Sequence, residues 1–211
     1  MIMRMKRHEF TFISNRILLF LVWIMVLSSC DRNRIIEVRN PEGKLVMRIH
    51  SPSGDTLEPR EGLYEFFDEQ ERLSETSHYQ NGKLHGERKV FENGVLYAIE
   101  NYHADLFEGP YQVFYPDGAL KLEATYVNNE MTGPLKGYYP DGKIKEEVTM
   151  SQNEENGPFR EFYPDGKIKA EGSYLNGPNE HGELKLYDST GVHIRTMLCE
   201  EGVCRTQWTR G

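Results

Sequence analysis

Six near-copies of one short unit fill most of this 211-residue chain. Counted from a glycine, they begin at Gly62, Gly86, Gly109, Gly133, Gly157 and Gly182, at spacings of 24, 23, 24, 24 and 25 residues. Self-similarity at a fixed period of this length specifies a repeat array, in which each unit buries its apolar face against its neighbours only. Such an array presents a long recurring surface. That suits binding and anchoring better than a single catalytic pocket does.

The clearest unit, residues 157–181, reads GPFREFYPDGKIKAEGSYLNGPNEH. Pro-Asp-Gly lies at its centre and recurs at 116–118, 140–142 and 164–166. Proline presets φ at the first turn position, aspartate suits the second, and glycine accepts the left-handed conformation that follows. This predicts a type I turn with a glycine bulge between two antiparallel strands. Asn93-Gly94 and Ser189-Thr190-Gly191 hold the same place in weaker copies, and Asn40-Pro41-Glu42-Gly43 suggests a degenerate half-unit earlier. The first full copy has Glu71 where glycine is expected, which predicts a different turn there.

Period-two alternation assigns faces. With Tyr163 opposite Lys167 across the turn, Phe162 faces Ile168 and Glu161 faces Lys169, which gathers Phe162, Ile168, Ala170 and Tyr174 on one side. An aromatic stands five residues after every starting glycine: Phe67, Phe91, Phe114, Tyr138, Phe162 and Tyr187. These rings are expected to form a continuous stacked ladder on the core face. The opposite face would carry Tyr111, Tyr115, Tyr139, Phe159 and Tyr163 among charged residues. These five are the candidate binding face, since tyrosine offers apolar area and a hydroxyl together. Ring pairs on this face could equally serve only to hold a thin sheet together.

The first thirty residues read as an address. Arg4, Lys6, Arg7 and Arg16 supply positive charge, and Ile17 to Leu27 is an unbroken apolar run of eleven residues. A helix that spans a bilayer needs about 20, so the run suits a signal-peptide core. Leu27-Ser28-Ser29-Cys30 resembles the lipobox of bacterial lipoproteins, in which the cysteine is lipidated and becomes the first residue after cleavage. An ordinary signal peptide or an uncleaved anchor is the alternative. Acyl chains at about 0.8 kcal/mol per buried methylene would hold Cys30 on a membrane. Residues 31–211 carry 21 basic and 32 acidic residues, a net charge of −11. That charge argues against nucleic acid as a partner and against electrostatic adhesion to anionic lipid.

Cys199 and Cys204 remain. An exported chain folds in an oxidising compartment, so the pair is expected as a disulfide closing the last hairpin. The sequence has no C-x-x-C spacing to suggest a metal or redox site, and no cofactor or metal is expected.

The string Tyr79-Gln80-Asn81-Gly82-Lys83-Leu84-His85-Gly86 resembles the MORN repeat, and the Tyr-Pro-Asp-Gly-Lys-Ile turns resemble the MORN-variant repeats of bacterial YwqK-like antitoxin components. The resemblance covers residues 62–204 and implies an all-β fold: an elongated, single-layer antiparallel sheet of consecutive hairpins. Twelve strands at about 4.8 Å would span roughly 55–60 Å. It also implies a binding or scaffolding role without catalysis. The expected layout is a signal peptide at 1–29, a lipidated tether with a degenerate half-repeat at 30–61, six repeats at 62–204 and a tail at 205–211.

Nothing in the sequence points to an enzyme. It contains no G-x-S-x-G, no H-E-x-x-H and no phosphate loop. Adjacent acids such as Glu146-Glu147 point to opposite faces of a strand, which is poor geometry for general acid–base work. His85 and His181 share a repeat position before a glycine and suit turn packing. The functional expectation is a cell-envelope protein, membrane-anchored through Cys30, that binds another envelope protein, a toxin being one candidate. The alternative is glycan or peptidoglycan binding by the exposed tyrosines.

Overall fold

The computed structural model describes residues 34–51 and 60–211. The expected signal segment and the anchor at Cys30 lie outside these residues. Among the described residues all regular structure is antiparallel β, in one open sheet of 17 strands. An N-terminal hairpin comprises β1 (Arg34–Arg39) and β2 (Leu45–Ser51). The first two units supply β3 (Gly62–Phe67), β4 (Leu73–Gln80), β5 (Lys83–Glu92) and β6 (Val95–His103). The next two supply β7 (Leu106–Phe107), β8 (Gly109–Phe114), β9 (Leu120–Val127), β10 (Glu130–Met131), β11 (Gly133–Tyr138) and β12 (Ile144–Ser151). The last two supply β13 (Glu154–Phe162), β14 (Ile168–Tyr174), β15 (Gly182–Tyr187) and β16 (His193–Glu200), and the chain ends on β17 (Val203–Thr209). Each full strand pairs with the next in sequence, and the two-residue β7 and β10 lie in line with β8 and β11.

The sheet extends past both expected ends of the array. The early half-unit is a complete hairpin, and β2 pairs directly with β3, so residues 34–51 belong to the sheet and not to a tether. The expected tail supplies most of β17, which pairs with β16 from Arg195 to Glu200.

Two kinds of turn alternate. At the Pro-Asp-Gly end, Tyr115 N donates to Ala119 O at 2.8 Å and Gly118 N to Tyr115 O at 2.9 Å, with Gly118 at φ +87°. The Asp117 carboxylate accepts from Ala119 N at 3.0 Å, and Asp141 and Asp165 do the same for Lys143 and Lys167. The first unit does not depart from this pattern. Glu71 takes the glycine position at φ +57°, with Asp68 N bonded to Arg72 O and Glu71 N to Asp68 O, each at 2.9 Å. Its carboxylate accepts from Leu45 N, a long-range contact that offsets part of the left-handed penalty.

Between units the turns have two central residues at positive φ, the type I′ geometry whose twist matches paired strands. Asn81-Gly82 and Asn176-Gly177 form two of them, and so do Ala104-Asp105, Asn128-Asn129 and Gln152-Asn153. The second residue locks each of the latter three turns to the preceding unit. Asn129 N donates to Phe107 O at 3.0 Å while its side-chain oxygen accepts from Phe107 N at 2.7 Å. Asp105 does the same to Leu84, and Asn153 to Met131.

A register shift re-phases every unit. Phe162 pairs with Ile168 as expected, but Glu161 pairs with Ala170, which makes Lys169 the extra residue. The same shift recurs at Phe66/Phe67, Val90/Phe91, Val113/Phe114, Gly137/Tyr138 and Leu186/Tyr187. A bulge opposes two residues to one, so the alternation changes face on passing it. The inner face therefore carries the residues two and four after each glycine, and Phe159 stacks there on Tyr174 at 4.3 Å. The core includes Tyr64, Ile49, Val113, Ala124, Phe159, Ala170 and Leu184. The rings five after each glycine stand on the other face, and among the described residues none stacks on the next. Each belongs to every second strand, about 10 Å from its counterpart, too far for ring contact.

The starting glycines also have a cross-strand reason. Gly62, Gly86, Gly109 and Gly157 sit directly opposite Tyr79, Tyr102, Tyr126 and Tyr174. The next link then covers the ring, as where Phe107 pairs with Tyr102 and stacks on it at 5.1 Å. In the last unit this place is taken by Cys199, and the covering place by Cys204. The two are joined as a disulfide. It stands where the first three units have the apolar pairs Tyr79–Leu84, Tyr102–Phe107 and Tyr126–Met131.

Candidate interaction surface

The expected binding face divides in two. Tyr111 and Phe159 lie on the inner face: Tyr111 sits edge-on to Phe107 and Tyr126 at 5.6 and 5.8 Å, and Phe159 is 5 % exposed. The bulge is the cause, since it moves the residue two after each glycine to the core side. Tyr115, Tyr139 and Tyr163 remain at the Pro-Asp-Gly end, half-buried. Their hydroxyls donate to the backbone carbonyls of Tyr138, Phe162 and Tyr187 in the following unit, at 2.7, 2.7 and 2.9 Å. These three therefore clamp unit to unit.

The outer face carries a different pattern. Residues opposite one another across successive strands run Glu37, Arg48, Glu65, Thr76, Lys89, Ile99. The row continues through Gln112, Glu123, Lys136, Glu147, Arg160, Glu171 and Lys185. Opposite charges thus alternate along most of the sheet. Arg48 bridges Glu37 and Glu65 at 3.2 and 3.0 Å, and Lys136 meets Glu123 at 3.6 Å. Each pair is half-exposed and contributes only about 0.2–1 kcal/mol, but a slipped register would set like charges opposite each other. The rings five after each glycine flank this row. Tyr138 donates to Glu123 at 2.6 Å and Tyr187 to Glu171 at 2.7 Å. Burial, then the Glu123 hydrogen bond, pushes the Tyr138 hydroxyl up to about 12, so it stays a donor at neutral pH.

The sequence reading missed an ionic cluster on the inner face. Arg88 takes the place that Tyr64, Tyr111 and Phe159 hold in other units. It pairs with Glu75 at 2.5 Å and Glu100 at 2.7 Å, and Tyr102 donates to Glu100 at 3.0 Å. Ser77, fully buried, completes the cluster by donating to Glu75. Burial alone would raise the Glu75 carboxyl, but the hydrogen bonds from Arg88 and Ser77 outweigh it and hold it below the ordinary range. An arginine amid aromatic positions was the available signal. The partners were hidden because they come from the strands on either side.

Among the described residues no three His, Cys, Asp or Glu side chains are grouped to hold a metal ion. His85 lies beside His103, ring centres 4.9 Å apart.

Three consecutive units match the MORN repeat variant. The matched residues are 107–128, 131–152 and 155–176. Each MORN-variant segment begins in the link before a starting glycine and ends in the next type I′ turn, so it contains one whole hairpin with its Pro-Asp-Gly turn or counterpart. No curated protein matches the chain. Among solved structures, a porin-like protein from Bacteroides uniformis aligns over 87 % of this chain and 92 % of that one, at 10 % identity and a TM-score of 0.22. That superposition is too loose to bear on fold or activity.

Proposed function

We propose that this chain is a cell-envelope protein, lipid-anchored through Cys30, whose MORN-variant sheet serves as a protein–protein interaction module without catalytic activity. The observation that carries the reading is the outer face. It offers a periodic row of half-exposed opposite charges flanked by rings across most of the sheet, a surface that can recognise a complementary polypeptide along its length. Two unpaired edges add a second mode. Among the described residues β1 pairs only with β2 and β17 only with β16, so either edge can accept a strand. A toxin acting in the periplasm or at the membrane is one candidate partner, in keeping with the resemblance to antitoxin components.

Glycan binding is less favoured. The hydroxyls of Tyr115, Tyr139 and Tyr163 are occupied by backbone carbonyls, which removes the free phenols that reading relied on.

The test is cross-linked capture from native envelopes with residues 31–211 as bait, repeated with Lys136→Glu and Lys185→Glu together. One dominant protein partner, lost or weakened in the charge-reversed bait, is the expected result. Bait recovered on sacculi or lipid without a protein partner would overturn the interaction reading. Separately, Cys30→Ser should move the full-length protein from the membrane fraction to the soluble one. Retention of that variant on membranes would remove the anchor.

A further inference from the structure

The tyrosine clamp is absent at two junctions, after the unit starting at Gly62, where Asp68 stands in its place, and after the unit starting at Gly86; at the second the absence leaves a cleft. Three units place a tyrosine six residues after the starting glycine, and its hydroxyl reaches the following unit's carbonyl. The unit starting at Gly86 has Glu92 there, followed by the short Asn93-Gly94 turn. No tyrosine therefore bridges to Phe114, which holds the position of Tyr138, Phe162 and Tyr187 in the next unit. At this junction lies a cleft of about 300 Å³, bounded by Glu92, Val95 and Tyr97 on one side and by Phe114, Tyr115 and Lys121 on the other.

We propose that this cleft is a binding site for a tyrosine side chain presented by a partner polypeptide. The sister units define the occupant. In each, the equivalent junction holds a phenol ring, packed between turns and anchored through its hydroxyl to a backbone carbonyl. Phe114 lines the cleft and is the counterpart of the residues whose carbonyls accept in the sister units, and Tyr97 and Pro116 line it as well. Its volume lies at the small end of ligand sites, which span about 300–1,000 Å³, and this suits one ring and not a nucleotide or a sugar chain. Access is open, since Val95 and Tyr97 are 44 % and 37 % exposed. Lys121, whose ammonium lies 5.8 Å from the Tyr115 ring centre, stands at the wall as a cation that can face an incoming ring. A partner's tyrosine would supply at this junction the clamp that the chain itself leaves out.

This inference rests on the interaction-module reading and deepens it. The test is an NMR titration of the isotope-labelled chain, residues 31–211, with N-acetyl-tyrosinamide, N-acetyl-phenylalaninamide and N-acetyl-leucinamide. The expected result is saturable shifts confined to Val95, Leu96, Phe114 and Lys121, strongest for the tyrosine amide. The phenylalanine amide should bind roughly three- to tenfold more weakly, as the loss of one hydrogen bond implies. Two variants close the site independently. Glu92→Tyr supplies the ring from within, and Val95→Trp, at an exposed position, blocks the mouth. Both should abolish the shifts. Equal response to all three amides, scattered shifts, no shift at tens of millimolar, or shifts unchanged in the folded Val95→Trp variant would each overturn the proposal. None of these outcomes bears on envelope capture, so the two readings fail separately.

Discussion

At the scale of single residues, the left-handed positions fall into two sets. Glycine or asparagine fills most of them, but Ala104 sits at φ +51° with neither glycine's freedom nor a side chain that bonds locally. Ala104→Gly should therefore raise stability by about 1 kcal/mol, read as a higher urea midpoint. A lower midpoint would mean that Ala104 is not left-handed. Arg88 is the opposite case, a residue whose loss strands its partners. Arg88→Met leaves Glu75 and Glu100 half-buried without the guanidinium that bonds both, and should cost about 2–3 kcal/mol at neutral pH. The sign with pH follows from the direction of the Glu75 shift. Its carboxyl is held below the ordinary range, so its stabilisation is complete above the unfolded-chain value, about 4.3, and is lost as pH falls through the lower folded value. In Arg88→Met the carboxylates gain from protonation instead. The gap between wild type and variant should shrink from pH 7 towards pH 3, and a constant gap would show that the cluster is not electrostatic.

At the scale of elements, the hairpins were legible in the sequence and their faces were not. Pro-Asp-Gly carries its own dihedral preferences, so the turns at Gly118, Gly142 and Gly166 could be placed from three residues each. The register shift beside each turn has no such signature, because it depends on which strand absorbs the extra residue. That single slip moved Phe159 and Tyr111 into the core and moved Phe162 out of it. Glu71 gave the converse error. Its side chain suggested a different turn, but the repeat on either side imposes the same one. The type I′ turns at Ala104-Asp105 and Gln152-Asn153 escaped notice because neither contains the Asn-Gly pair. The tyrosine clamp gives this scale its prediction: Tyr139→Phe removes the hydrogen bond to the Phe162 carbonyl and should cost about 0.5–1.5 kcal/mol, checked by thermal melting. A larger loss would mean the ring packing was also disturbed. At the C-terminal end, reduction of Cys199–Cys204 should lower stability by roughly 2–3 kcal/mol and speed amide exchange in β17 before other strands. Exchange rising equally across the sheet would contradict a staple that acts at the end.

At the scale of the molecule, each unit touches only its neighbours. The charge row, the clamps and the link–turn bonds all join adjacent strands, and their sum holds a sheet that no single hairpin could maintain. An open sheet also creates the long outer face and, among the described residues, the two edge strands on which the interaction reading depends. The in-line β7 and β10 aside, fifteen strands cross the sheet among the described residues. At about 4.8 Å per strand they span close to 70 Å, whereas a compact chain of this length has a radius of gyration of about 16 Å. Small-angle X-ray scattering of residues 31–211 tests this directly. The expected result is a maximum dimension near 70 Å with a radius of gyration of about 20 Å or more. A compact profile at about 16 Å would contradict the open array and remove the surface on which the proposed function stands.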